Sequence, residues 1–274
     1  MQFLIFYSLI IIIIINCLPS FGLNTQGANF CKFPKATSTN VTKKVIFVIG
    51  HKDFGYQRII YNGKKNTCRP NMQMYWEQAI ILTDGASISN LIMGASPDGT
   101  SSNIECMGSC TLTNVFFENV CWRGVSFHVP GNFKKGDKRQ FTYTVNGGGA
   151  LDGFQKIFDH AGPGKTIINN FCSVNNAIGI VSCGNCTNQY PREITIQNSK
   201  FKGPMLLIAG SNQGDKVVLK NVEVYGANNP STKIKYACSE NVQSAQHRWD
   251  NSYKPGQAGG KSCCYAANAV KLVN

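Results

Sequence analysis

Beyond Gly22 the chain has no second long apolar run, so it offers no further membrane-spanning helix. It has no linker-like or low-complexity tract, so nothing divides residues 23–274 into more than one domain. Acids are scarce: Asp and Glu total 14 against 27 Lys and Arg, a formal net charge of +13. Histidine is scarcer still, and His51, His128, His160 and His247 share neither metal-ligand nor triad spacing. Cys183-Gly184-Asn185-Cys186 has zinc-ligand spacing but no second pair to complete a site. Gly164-Lys165-Thr166 has the ending of a phosphate loop, but Asp159 stands where that loop needs its first glycine. A strand rather than a helix follows, so no nucleotide site is expected.

The N-terminus is apolar from Phe3, with an unbroken isoleucine run from Ile10 to Ile15, and Pro19 and Gly22 close it. Residues 1–22 are read as a secretory signal peptide, and a membrane anchor is the competing reading. Secretion predicts an extracellular protein with no membrane attachment after cleavage. Twelve cysteines, less Cys17, leave eleven, and disulfides are their default use in an oxidising compartment. Because eleven is odd, at least one is free or pairs between chains. Local bridges are expected within Cys106/Cys110 and Cys183/Cys186. Asn40-Val41-Thr42 and Asn185-Cys186-Thr187 match the N-glycosylation pattern.

Such a basic chain attracts polyanions at long range. In a secreted protein these are acidic polysaccharides or an anionic cell surface rather than nucleic acid. The bland alternative is a lysine-rich surface that serves solubility.

A six-residue pattern recurs: apolar, any, Asn, apolar, any, apolar. It appears at Ile88–Met93, Leu112–Phe117, Ile168–Ser173, Ile196–Phe201 and Leu219–Val224, with Asn146 in an intermediate position. Repeats at intervals of roughly 20–30 residues signal a solenoid, because such a unit cannot bury its own apolar face. The flanking runs are short and β-branched, as in strands. Asn tolerates left-handed backbone geometry, which suits one bend per coil. The pattern therefore predicts an all-β, single-domain, right-handed parallel β-helix, with an antiparallel sandwich as the competing architecture. The segments around Cys31 and from Lys233 to Asn274 are expected to cap its two ends.

Several blocks resemble the secreted pectate lyases of polysaccharide lyase family 3. They are Phe30-Cys31-Lys32-Phe33-Pro34, Leu82–Ala86, Gly108–Leu112, Thr144–Ala150 with its triple glycine, and Ser182-Cys183-Gly184-Asn185-Cys186. The resemblance implies the β-helix and Ca²⁺-assisted β-elimination on polygalacturonate. In that chemistry Ca²⁺ bridges a substrate carboxylate to protein acids, a cationic side chain removes the ring proton, and the glycosidic oxygen leaves.

Carried over by position, the resemblance makes Lys156 the retained catalytic cation, with Gln155 where the family has Asp. The family's Asp-Gly falls on Asp98-Gly99, or on Ser102 if three extra residues precede it, and Asp98 and Glu105 are the candidate metal ligands, expected to be weak. Trp122 and Arg123 stand at the family's Glu-Asp pair, so Arg123 is expected to bind a substrate carboxylate directly. His160 lies near this edge and is a second substrate-binding candidate. The family's Lys-x-x-Arg becomes Ile178-Gly179-Ile180-Val181, which replaces the base and its partner with apolar side chains. Two functions follow: a lyase with an altered site, or a non-catalytic secreted binder of acidic cell-wall polysaccharide, with a monomer expected in either case. For the lysine-rich stretch Phe133–Arg139 a solvated loop is the commoner outcome, and reach to the groove is the alternative.

Overall fold

The computed structural model describes residues 23–71, 73–241 and 249–273. The signal-peptide expectation, Cys17 and His247 lie outside the described residues. Among the described residues twenty strands join one sheet, wound as a right-handed parallel β-helix. Among the described residues no helix is long and apolar enough to cross a membrane.

The coils run through three ladders. Ladder A contains β2 (Ile46–Val48), β4 (Glu77–Leu82), β6 (Ser102–Met107), β8 (Arg123–His128), the second halves of β10 (Gly149–His160) and β12 (Cys172–Ser182), β15 (Met205–Ser211) and β18 (Ile234–Glu240). Ladder B starts with β1 (Thr39–Thr42) and takes the second halves of β3 (His51–Tyr61), β5 (Ala86–Met93) and β7 (Cys110–Phe117). It continues through the first halves of β10 and β12, then β14 (Lys200–Lys202), β17 (Val222–Tyr225) and β20 (Val270–Val273). Ladder C takes the first halves of β3, β5 and β7, then β9 (Phe141–Asn146), β11 (Gly164–Asn169), β13 (Arg192–Gln197) and β16 (Lys216–Lys220).

The predicted asparagine bends are the corners between ladders C and B. Asn90, Asn114, Asn170, Asn198 and Asn221 all have positive φ, between 49° and 56°. Asn114 Nδ2 donates to Asn90 Oδ1 at 3.2 Å, and Asn221 Nδ2 to Asn198 Oδ1 at 3.0 Å. Asn198 departs from a simple ladder by donating to Asn169 rather than Asn170. At the triple glycine, a Cβ on Gly148 would lie 2.1 Å from the Val115 carbonyl oxygen, so only glycine fits between those coils.

Strand periodicity decides what is buried. In ladder A, Ile80, Ile104, Val125, Phe158, Ile180, Ala209 and Cys238 stack from coil to coil through the interior. Each full burial of such an aliphatic or aromatic side chain contributes about 1.5–3 kcal/mol. The alternate residue Asp159, beside Phe158, points outward, and the candidate site forms around it on the outer surface.

Five disulfides join the described cysteines, including the expected Cys106–Cys110 and Cys183–Cys186, and Cys264 is free. The C-terminal end closes as expected: β19 (Asn251–Tyr253) pairs antiparallel with β18, and Cys238 bonds to Cys263. The N-terminal expectation needs correction. Helix α1 (Thr25–Phe30) and Cys31 lie along the side of ladder B, not over the end. Cys31 bonds to Cys172, and Ala28 packs with Leu151 and Val174. The cause is local: Phe30 and Phe33 find partners in Tyr225 and Phe116, on the outer surface of the coils.

Candidate functional site

Three charged side chains meet on the outer surface of ladder A. Arg123 and Lys156 are paired in register on β8 and β10. Arg123 Nη1 lies 2.9 Å from Asp159 Oδ2, and Lys156 Nζ lies 3.1 Å from Asp159 Oδ1. All three side chains are largely buried, Asp159 most of all. Burial alone would raise the Asp159 carboxyl, but Lys156 and Arg123 outweigh it and hold the group below the usual carboxylate range.

The neighbouring loops fix Arg123. Cys121 bonds to Cys68, and the Trp122 indole N–H donates to the Thr67 carbonyl oxygen at 2.9 Å. Trp122 has φ 63°, a turn that delivers the chain into β8. The guanidinium then lies over the Trp76 ring, 4.1 Å from its centroid. A planar cation held against an indole keeps its fork geometry at small entropic cost. Arg123 Nε is buried and has no hydrogen-bond partner within the protein.

A depression of ≈ 380 Å³ adjoins the cluster, bounded by Arg123, Asp159, His128, Asn185, Asn188 and Tyr190. The Cys183–Cys186 bridge shapes one wall, and Arg192 secures that wall from below. Arg192 donates to the carbonyl oxygens of Ala161 and Cys183 and pairs with Asp215 at 2.9 Å. The lysine-rich loop roots at the same rim: Phe133 packs edge-on against Tyr190 at 5.7 Å, leaving Lys134, Lys135 and Lys138 exposed.

On the next coil the chemistry changes. Lys156 is in register with Ile178, and Asp159 with Val181. The positions where the resemblance placed a base and its partner thus directly flank the charged cluster and are apolar. Val181 is only 6% exposed, and the Trp249 indole packs beside it over Gly210.

The other sequence candidates lie elsewhere. His160 is fully buried at 0% exposure, between Phe127 and Tyr143, with Nδ1 3.1 Å from Thr166 Oγ1. The expectation that it lines the edge is corrected by strand parity: His160 shares the inward side with Phe158. Asp98 sits in the turn between β5 and β6, and its side chain pairs with Lys65 at 3.1 Å. Glu105 is in register with Ser126 and, one coil further, with Asp159. At about 4.8 Å per coil, that places it roughly 10 Å from Asp159 along the axis.

These acids do not form a Ca²⁺ site. Ca²⁺ takes six to eight oxygen ligands, typically with several carboxylates. Asp159 has both oxygens engaged by cations, Asp98 is tied to Lys65, and Glu105 stands apart. No group of three or more His, Cys, Asp or Glu suited to a metal occurs among the described residues. Arg123 brings a fixed positive charge to Asp159.

Asp159 and Trp76 had no usable signal in the sequence. Residues three apart on a strand normally face opposite ways, so Lys156 and Asp159 do not look like partners. Here Ile157 and Phe158 are consecutive core residues, so the alternation breaks between them and brings Lys156 and Asp159 out on the same side.

A basic, aromatic-backed groove thus lies on the outer surface of a parallel β-helix. In comparison with known proteins, residues 31–242 match the pectate lyase family model, and the chain belongs to that family. It is 33% identical over 220 residues to a probable pectate lyase D of Emericella nidulans, covering 75% of this chain and 78% of the relative. It is 30% identical over 191 residues to a probable pectate lyase F of Aspergillus terreus, covering 69% and 77% respectively. Among solved structures, pectate lyase PelI from Erwinia chrysanthemi in complex with tetragalacturonic acid superposes with TM-score 0.58. That match has 23% identity and covers 90% of this chain and 72% of PelI.

Proposed function

We propose that this chain is a secreted, single-domain, monomeric protein that binds the acidic galacturonate backbone of pectin, with β-elimination weak or absent. The observation that carries the proposal is the Arg123–Asp159–Lys156 cluster beside Ile178 and Val181. Two cations share one carboxylate, so the cluster retains positive charge for an anionic ligand. A uronate carboxylate adds to the free edge of the Arg123 guanidinium and to the Lys156 ammonium as charge-assisted hydrogen bonds. Trp76 keeps the guanidinium in place, and the surplus lysines draw a polyanion toward the groove. The PelI complex with tetragalacturonic acid supports this ligand class.

Ca²⁺-assisted elimination receives less support. Family members generally depend on Ca²⁺, but the acids here do not gather to hold it. A carbon acid also needs a base next to its proton, and the residues in register at that place are apolar. A second reading, residual elimination with Lys156 as the base, is favoured by the retention of Lys156 at the groove. Nucleic acid is not the proposed partner.

Gel-retardation on polygalacturonate, run beside an absorbance assay for unsaturated product, tests the proposal. Retardation that is insensitive to a Ca²⁺ chelator, weakened about tenfold or more in Arg123→Ala and Lys156→Ala, is expected. Failure of the wild-type chain to bind polygalacturonate overturns it. Product formation that disappears only in Lys156→Ala favours the second reading.

A further inference from the structure

We propose that Asn40 carries an N-linked glycan that covers the open N-terminal end of the solenoid, and that Asn185 stays unmodified. The inference rests on entry into the secretory pathway and is independent of what the groove binds.

The first coil is an edge. Among the described residues β1 pairs only with β3, and β2 only with β4. An unpaired strand edge is a template for association unless something blunts it. Helix α1, the expected cover, lies on the side of ladder B instead. The terminal coil also exposes apolar side chains: Val41 is 60% exposed, Phe47 67% and Ile49 83%.

Asn40 sits at a revealing place on this edge. It is in register with Ile59, which is in register with Met93 and then Phe117. The last three are buried core residues. Paired residues in parallel strands share a side, so Asn40 tops an interior column, where a further coil would require an apolar residue. The sequence places there an exposed asparagine in an Asn-Val-Thr acceptor. A sugar attached at that point lies over the mouth of the core and beside the free edge of β1.

Asn185 matches the same pattern and is also exposed, but its surroundings differ. Its sequon contains Cys186, closed by a bridge to Cys183 into a tight ring. Its side chain bounds the depression beside Arg123 and Asp159, which a glycan would fill.

The step uses a lipid-linked oligosaccharide pyrophosphate as donor. The bond from the sugar C1 to the pyrophosphate oxygen breaks, and that oxygen leaves with the electron pair. C1 bonds to Asn40 Nδ2, which gives up one proton.

The full chain would be expressed in a eukaryotic secretory host and the secreted protein treated with an N-glycan amidase. Loss of a single glycan, with conversion of the Asn40 amide to a carboxylate in the peptide map, is expected. Asn40→Gln and Thr42→Ala remove the glycan, while Asn185→Gln changes nothing. Native trimming of the wild-type glycan with an endoglycosidase is expected to produce concentration-dependent self-association in sedimentation, without any substitution that could disturb folding. An unmodified Asn40 in the secreted protein, or retention of the full chain without a glycan, overturns the site. Glycosylated protein that stays monomeric after trimming overturns the covering role.

Discussion

Arg123 Nη1 lies 2.9 Å from Asp159 Oδ2, and the two side chains are 12% and 5% exposed. An acid at this depth is tolerated only because cations flank it. Arg123→Ala leaves Asp159 with Lys156 alone. Full loss of a buried partner costs about 3–5 kcal/mol, and the surviving Lys156 reduces this to about 2 kcal/mol. Urea unfolding of Arg123→Ala, Asp159→Asn and the double variant measures it. The double variant is expected to be less destabilised than the sum of the singles.

The fold was legible in the sequence because a repeated asparagine with β-branched neighbours has a mechanical meaning: one left-handed corner per coil. Asn90, Asn114, Asn170, Asn198 and Asn221 all occupy that corner. The site was only half legible. Arg123, Lys156, Ile178 and Val181 could be assigned by motif position, and their register places them together. Asp159 and Trp76 could not, because their roles depend on a break in side-chain alternation at Ile157-Phe158 and on a loop crossing that no local pattern encodes. His160 was misplaced because proximity in sequence does not determine which side of a strand a residue faces.

The corners themselves can be tested. Asn114→Ala keeps φ near 54° without an amide to bond Asn90 and is expected to cost about 1–2 kcal/mol. Asn114→Gly is expected to cost less, because glycine adopts that conformation freely. Thermal unfolding of both variants decides the order.

His160 gives the protein an acid-sensitive core. Burial, reinforced by the nearby Arg192 charge, pushes its imidazole from 6.5 down to about 3. The folded state therefore resists a proton that the unfolded chain accepts. Stability is full above about pH 6.5 and falls as pH drops toward the folded value. The loss is expected to reach about 3 kcal/mol by pH 4. Asp159, held below its ordinary value, adds a further loss only below about pH 4. Urea midpoints at pH 7, 5 and 4 measure the slope, and His160→Gln is expected to flatten it.

The Cys31–Cys172 bridge spans 141 residues and holds α1 against ladder B. Closing so long a loop restricts the unfolded chain strongly, and its removal is expected to cost about 4 kcal/mol. Cys31→Ala/Cys172→Ala, compared with the wild type by thermal unfolding, checks this. Loss of the Cys106–Cys110 bridge, with a separation of only 4, is expected to cost clearly less.

The central claim is that charge for binding survives at Arg123 and Lys156 while the base has been lost at Ile178 and Val181. The most direct test is the rate of unsaturated-product formation on polygalacturonate, with Ca²⁺ and with chelator, for the wild type and for Ile178→Lys/Val181→Arg. The account predicts a wild type that binds the polymer yet releases little or no product under either condition, and a double variant whose rate rises. Rapid, Ca²⁺-dependent product formation by the wild type would contradict it.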